Sequence, residues 1–187
     1  MDISTNETDF YTSVLKSLNE IDQNFRNYKG LIVVGSHTPL NVEDKMIELK
    51  NARENNIPTL GICMGMQLMA IEYARNVMDV PTATSEEISN DGVLVVRRLP
   101  KLRVGIYPVT WEGETKQESH WHNYAIRTDY LKDNFDISHT EDIPEVIKLK
   151  DHLFYVGVQF HPEYQSSREK PHPLLKEFVK VCSQKTN

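Results

Sequence analysis

Two short stretches carry side chains able to do chemistry together. The first is Thr59-Leu60-Gly61-Ile62-Cys63-Met64-Gly65-Met66-Gln67. An apolar, strand-like run ends at a cysteine, and a helical pattern begins directly after it. Glycine lies two residues to either side, as a sharp strand-to-helix turn requires if flanking side chains are not to collide. Free N–H groups at the start of the following helix would face the sulfur and favour the thiolate, the form that attacks carbon. The N–H of Met64 is placed to donate to an oxyanion formed by such an attack. The second stretch is Phe154-Tyr155-Val156-Gly157-Val158-Gln159-Phe160, running into His161-Pro162-Glu163. Residues two apart in an extended segment point the same way, so Glu163 is expected beside His161. One ring nitrogen is then held by the carboxylate and the other faces the thiol, giving nucleophile, base and orienter. Taken singly, Cys63 reads as a small buried hydrophobe and His-Pro-Glu as a loop with an incidental ion pair. Taken together, the two motifs point to acyl transfer through a thioester.

The elements needed to hold these residues are visible in the apolar patterning. Leu31-Ile32-Val33-Val34 and 57–62 read as short buried strands. Helices are expected over 8–18, with Phe10, Val14, Leu15 and Leu18 at helical spacing, and over 64–77. Another starts after a capping Asn41, with Met46, Leu49 and Ala52 on its inner side, and fades at Asn55-Asn56. Strand and helix in close alternation imply crossover connections and a largely parallel, open α/β sheet with helices on both faces. The second half is richer in strands, expected over 93–96, 104–110, 123–126, 145–150 and 154–160. A last helix carries Leu174, Leu175, Phe178, Val179 and Cys182 on one face. One domain over 1–187 is expected from the length, with no repeat or linker.

Composition narrows the classes. The chain has 187 residues, 39% hydrophobic and 26% charged, with a formal net charge of -6, so it is expected to fold and not to bind nucleic acid or anionic membranes. No apolar run approaches a membrane span, and the first residues, Met1-Asp2-Ile3-Ser4, carry no secretory signal. With only Cys63 and Cys182, a reduced, cytoplasmic setting is expected. His120-x-His122 has no further Cys/His cluster beside it, so no metal is expected, nor any cofactor.

At Leu60–Gln67, Ile71–Val77, Gly157–Glu163 and Lys170-Pro171-His172-Pro173-Leu174 the chain resembles the class I glutamine amidotransferases, in particular the glutaminase domain of CTP synthases. The similarity extends from about Thr8 to the last helix and implies flavodoxin-like layering. It also implies that Cys63 forms a γ-glutamyl thioester and releases ammonia, with His161 moving protons and Glu163 holding His161. Gln67 would contact bound glutamine, and Glu87, in Ala83-Thr84-Ser85-Glu86-Glu87, would read its α-amino group. A synthase subunit in trans and a homo-oligomer are partner arrangements the resemblance leaves open.

Three departures from that pattern stand out. The Pro-Gly-Gly-rich oxyanion loop of the relatives is replaced by Val34-Gly35-Ser36-His37-Thr38, which leaves the Gly35-Ser36 region as the candidate donor. The arginines of the relatives' Arg/His-alternating segment are gone from Glu118-Ser119-His120-Trp121-His122-Asn123-Tyr124. His120 or His122 would then give a weaker, pH-dependent contact to a substrate carboxylate, or the substrate is another γ-glutamyl amide. The strand expected before the first helix is shortened or missing, and Asn19–Lys29 leaves little room for a second. No Gly-x4-Gly-Lys-Ser/Thr loop occurs, so ATP use is not expected. These departures keep an alternative alive: a catalytically weakened paralogue serving as a binding or regulatory module. Trp111 and Trp121 read as packing residues, with Trp121 a candidate wall of the substrate cleft. Arg97-Arg98 read as surface charges at a strand end.

Overall fold

A computed structural model describes residues 8–35, 41–131 and 133–185. The chain opens with α1 (Thr8–Ile21), then β1 (Leu31–Val33), α2 (Val42–Glu54), β2 (Thr59–Ile62) and α3 (Met64–Asn76). It continues through β3 (Ala83–Ser85), β4 (Val93–Trp111), β5 (Glu114–Ile126), β6 (Phe135–Thr140), β7 (Ile143–Leu149) and β8 (Tyr155–Val158), and closes with α4 (Pro173–Lys185). Val14 and Leu18 are buried as the spacing predicts; the side chain of Phe10 lies outside the described residues. So do Met1–Ser4, on which the expected loss of a first strand rested, and Ser36–Thr38.

The main sheet has the order β1-β2-β8-β7-β6. Strands β1, β2 and β8 are parallel, whereas β7 and β6 join antiparallel, so the expected α/β sheet is mixed. Alternate residues of these strands enter two apolar layers. Leu31, Val33, Tyr155 and Ile147 pack with α2 and α3; Ile32, Val34, Val156 and Val146 pack with α1 and α4. Helices therefore cover both faces. The short parallel strands are buried along their whole length, which is why they read as unbroken apolar runs.

A second sheet, β3-β4-β5, departs most from expectation. The two strands expected over 93–96 and 104–110 are parts of one strand, β4, whose pairing slips between Arg98 and Arg103. Strands β3 and β6 were not visible in the apolar pattern. At the start of α2, Asn41 occupies the capping position in a left-handed conformation (φ 51°) without a side-chain cap bond. Its carbonyl accepts from Lys45 N–H instead, at 3.1 Å.

Candidate active site

Strands β2 and β8 lie side by side in parallel, with Ile62 opposite Val158. The residues that follow them, Cys63 on one side and Gln159 to Glu163 on the other, therefore emerge at the same edge of the sheet. Cys63 N–H donates to Val158 O at 2.7 Å, extending the strand pairing up to the cysteine itself. Cys63 has φ 56° and ψ −110°, a conformation L side chains rarely adopt. The flanking glycines are needed at this turn. A Cβ on Gly65 would run into the Val33 carbonyl, and one on Gly61 would come within 2.8 Å of the Gly65 backbone.

His161 is buried and its Nδ1 lies 2.8 Å from Glu163 Oε1. The expectation of an extended His-Pro-Glu segment is not met: Pro162–Gln165 forms a 3-10 turn, and the turn brings the carboxylate back to the imidazole. Burial alone would depress His161, but hydrogen bonding and charge interaction with Cys63 and Glu163 outweigh it and raise its pKa to about 10. Strand β5 crosses the same edge and completes the surroundings. Ser119 O accepts from His161 N–H at 2.8 Å, and Trp121 O lies 3.8 Å from Cys63 Sγ. Gln159 Nε2 approaches the sulfur at 3.7 Å.

Beside Cys63 opens a cavity of about 130 Å³, lined among others by Met64, Gln67, Glu87, Trp121, His122 and Asn123. Gln67 is buried, with Nε2 near Tyr124 O and Gln159 Oε1. Glu87 is half-buried at the cavity wall, and burial raises its pKa. Gly35 sits against the nucleophile, since a Cβ there would lie 3.2 Å from Cys63 Cβ. Ser36 lies outside the described residues. A larger cavity of about 390 Å³, lined by Tyr107, Pro108 and Thr140 among others, does not include Cys63.

The two histidines of β5 are placed differently from expectation. His120 is 1% exposed and does not line the cavity; only His122 does. His122 Nδ1 donates to Tyr124 O at 2.9 Å, so its Nε2 is free to accept from His120 Nδ1–H at 3.3 Å. Burial above all lowers both imidazoles, His120 to about 3 and His122 to about 4, with Arg103 adding to it in each. Neither offers a cation to a substrate carboxylate near neutral pH. Next to them, on β7, is Glu145, fully buried and pushed up to about 7 by burial, against the pull of Arg103. Sequence reasoning missed both Glu145 and Arg103. Arg103 stands opposite His122 across the β4–β5 pairing and reaches Glu145 Oε1 with Nη1 at 2.9 Å. His120, His122 and Glu145 bring donor atoms within 4.8 Å of one another, the cluster the sequence did not reveal. Arg103 already occupies one Glu145 oxygen, and a guanidinium in that position opposes a bound cation.

No helix is long and apolar enough to cross a membrane among the described residues. The family model for glutamine amidotransferase class-I matches residues 4–181. The chain is 34% identical over 200 residues to the CTP synthase of Aquifex aeolicus, covering 90% of this chain and 38% of that protein. It is 39% identical over 178 residues to the CTP synthase of Bacillus velezensis, covering 80% of this chain and 33% of that one. It therefore spans little more than a third of the length of these relatives. In three dimensions it is similar to the glutaminase domain of the Trypanosoma brucei CTP synthase, solved with bound acivicin, with a TM-score of 0.86. That likeness covers 97% of this chain and 92% of the other at 23% sequence identity, and it concerns the fold. A GMP synthase protein of Thermoplasma acidophilum is more distant, with a TM-score of 0.63, 18% identity, and coverage of 98% and 93%. With a family match across nearly the whole chain, on a fold that sets a cysteine and a histidine at neighbouring strand ends, the chain belongs to the glutamine amidotransferase class-I family of glutamine-hydrolysing enzymes.

Proposed function

We propose that this chain cleaves the side-chain amide of glutamine, or of a related γ-glutamyl amide, through a thioester at Cys63, and releases ammonia or an amine. The observation that carries the reading is the placement of Cys63 and the His161–Glu163 pair at the ends of two adjacent parallel strands. Gln67 and Glu87 present polar groups to the glutamyl part, Glu87 toward its α-amino group, from the cavity wall. The sulfur attacks the amide carbon, and the oxyanion meets the N–H of Met64 and backbone beside Gly35. Each such donor is worth about 2.7–4 kcal/mol of barrier. His161, held protonated by Glu163, gives its proton to the departing nitrogen as the C–N bond breaks. It then takes a proton from the water that attacks the thioester, releasing glutamate and restoring the thiol.

A glutamine-mimicking electrophile tests this directly. Intact mass is expected to show one adduct, absent in Cys63→Ala, together with ammonia release from glutamine that the same substitution abolishes. A protein that takes no adduct and releases no ammonia would sink the reading.

A second reading is favoured by one observation: among the described residues lining the cavity there is no arginine or lysine to grip an α-carboxylate. On that reading the chain is a weakened paralogue acting as a binding or regulatory module, and its biological role survives Cys63→Ser. The CTP synthase relatives also support a synthase acting in trans as acceptor of the ammonia, measurable as co-purification with, and ammonia transfer to, such a synthase.

A further inference from the structure

We infer that the preferred substrates are γ-glutamyl amides whose amine carries an uncharged apolar tail, and that Leu102, Val104 and Trp121 form the subsite for that tail. The inference rests on the thioester reading above and narrows it to a substrate class.

The β4–β5 hairpin carries an unusual concentration of exposed apolar side chains. Leu102 is 55% exposed, Val104 48%, Ile106 57% and Trp121 51%. Val104 stands opposite Trp121 in the strand pairing, and Ile106, two residues on, shares the side of Val104. Leu102 and Trp121 both line the cavity beside Cys63, and the Trp121 carbonyl is 3.8 Å from the sulfur. The apolar surface thus begins at the nucleophile and runs outward along the hairpin.

The chemistry of the amide decides what that surface touches. The leaving nitrogen is bonded to the carbon the sulfur attacks, so any substituent on it starts beside Sγ and beside Trp121. The polar groups of the cavity, Gln67, Glu87 and Asn123, suit the glutamyl end. At about 130 Å³ the cavity is small against the 300–1,000 Å³ of pockets for larger ligands, so a tail must lie outside it, along the hairpin. Leu102, Val104, Ile106, Ser119 and Trp121 are all uncharged, so an anionic tail finds no partner there. Ammonia, the leaving group of glutamine itself, makes no use of this surface.

The test compares kcat/KM of the full chain for L-glutamine, γ-glutamyl-n-butylamide, γ-glutamyl-anilide and γ-glutamyl-glycine. Burying three or four carbons is expected to favour the butylamide and anilide over glutamine by about 10- to 100-fold, with no gain for the glycine conjugate. Trp121→Ser and Val104→Ser should each reduce the butylamide-to-glutamine ratio severalfold, a readout unaffected by general loss of folded protein. Glutamine turned over as well as the tailed amides, or a ratio unmoved by both substitutions, overturns this inference and leaves the thioester reading standing. Turnover of none of the four, with no adduct at Cys63, overturns both; adduct without turnover overturns the substrate class alone.

Discussion

The backbone of Cys63, at φ 56° and ψ −110°, is held in an unfavourable conformation by what lies on each side of it. Its N–H is tied to Val158 O, and the next residue already belongs to α3. Cys63→Ser should therefore fold as the parent does, with an unchanged urea midpoint, while losing thioester formation. The Glu163 carboxylate is what keeps His161 charged in a buried place, along with the sulfur. The folded pKa, about 10, lies above the ordinary 6.5, so this interaction contributes stability fully below pH 6.5 and loses it as pH rises through 10. In Glu163→Gln burial prevails, and the alkaline limb of the kcat/KM profile should move to lower pH, with turnover down roughly 10²- to 10⁴-fold. An unshifted limb would remove Glu163 from the role given to it. Cys63, His161, Glu163, Gln67 and Glu87 were readable because their chemistry is written in short contiguous motifs. Arg103 and Glu145 were not, because they meet only across strands far apart in sequence. His120 was misplaced for a different reason: alternation separates two faces of a strand without saying which one is inward.

The pieces that hold these residues are braced by buried charge. Arg53 on α2 grips Glu72 on α3 through Nε and Nη2 at 3.0 and 2.8 Å, fixing the helix that starts at the nucleophile. Arg103 and Glu145 join β4 to β7 beneath the cavity. Arg103→Met strands a buried carboxylate and should destabilise by about 3 to 5 kcal/mol in urea unfolding. Adding Glu145→Leu should recover a large part of that loss, as removal of both charges leaves nothing unpaired. Gly65→Ala should cost roughly 3 kcal/mol or prevent folding, because β1 would have to retreat from α3. The helices and parallel strands were legible from periodicity, since each buries a regular stripe or an unbroken run. The single strand β4 was not: Leu99, Pro100 and Lys101 interrupt its pattern, and only pairing with β5 carries it through the slip. The mixed sheet was likewise hidden, as apolar runs do not record strand direction.

Across the whole molecule, the two apolar layers on either side of the main sheet govern stability. Cys182 lies fully buried in the layer under α4, and burial pushes its thiol up to about 12. A neutral alkylating agent is therefore expected to modify one thiol in the native protein and two in denaturant, the second appearing along the global unfolding curve. In acid, the unfolded chain gains protons on His120 and His122 near pH 6.5, whereas the folded chain holds them off until about pH 3 and 4. Stability should fall as pH drops from 6.5, partly offset by Glu145, and the fall should be shallower in His120→Gln. Calorimetric or urea curves between pH 7 and 4 decide it.

The separation between sulfur and imidazole is written into the hydrogen bonds of two neighbouring strands, while the surface on which a leaving group would rest belongs to a different sheet. How a bond is broken and which bond is chosen are thus assigned to separate parts of the chain. Substitution along one hairpin can retune selection while the bond-breaking apparatus stays as it is, and a designer seeking a new specificity should begin there.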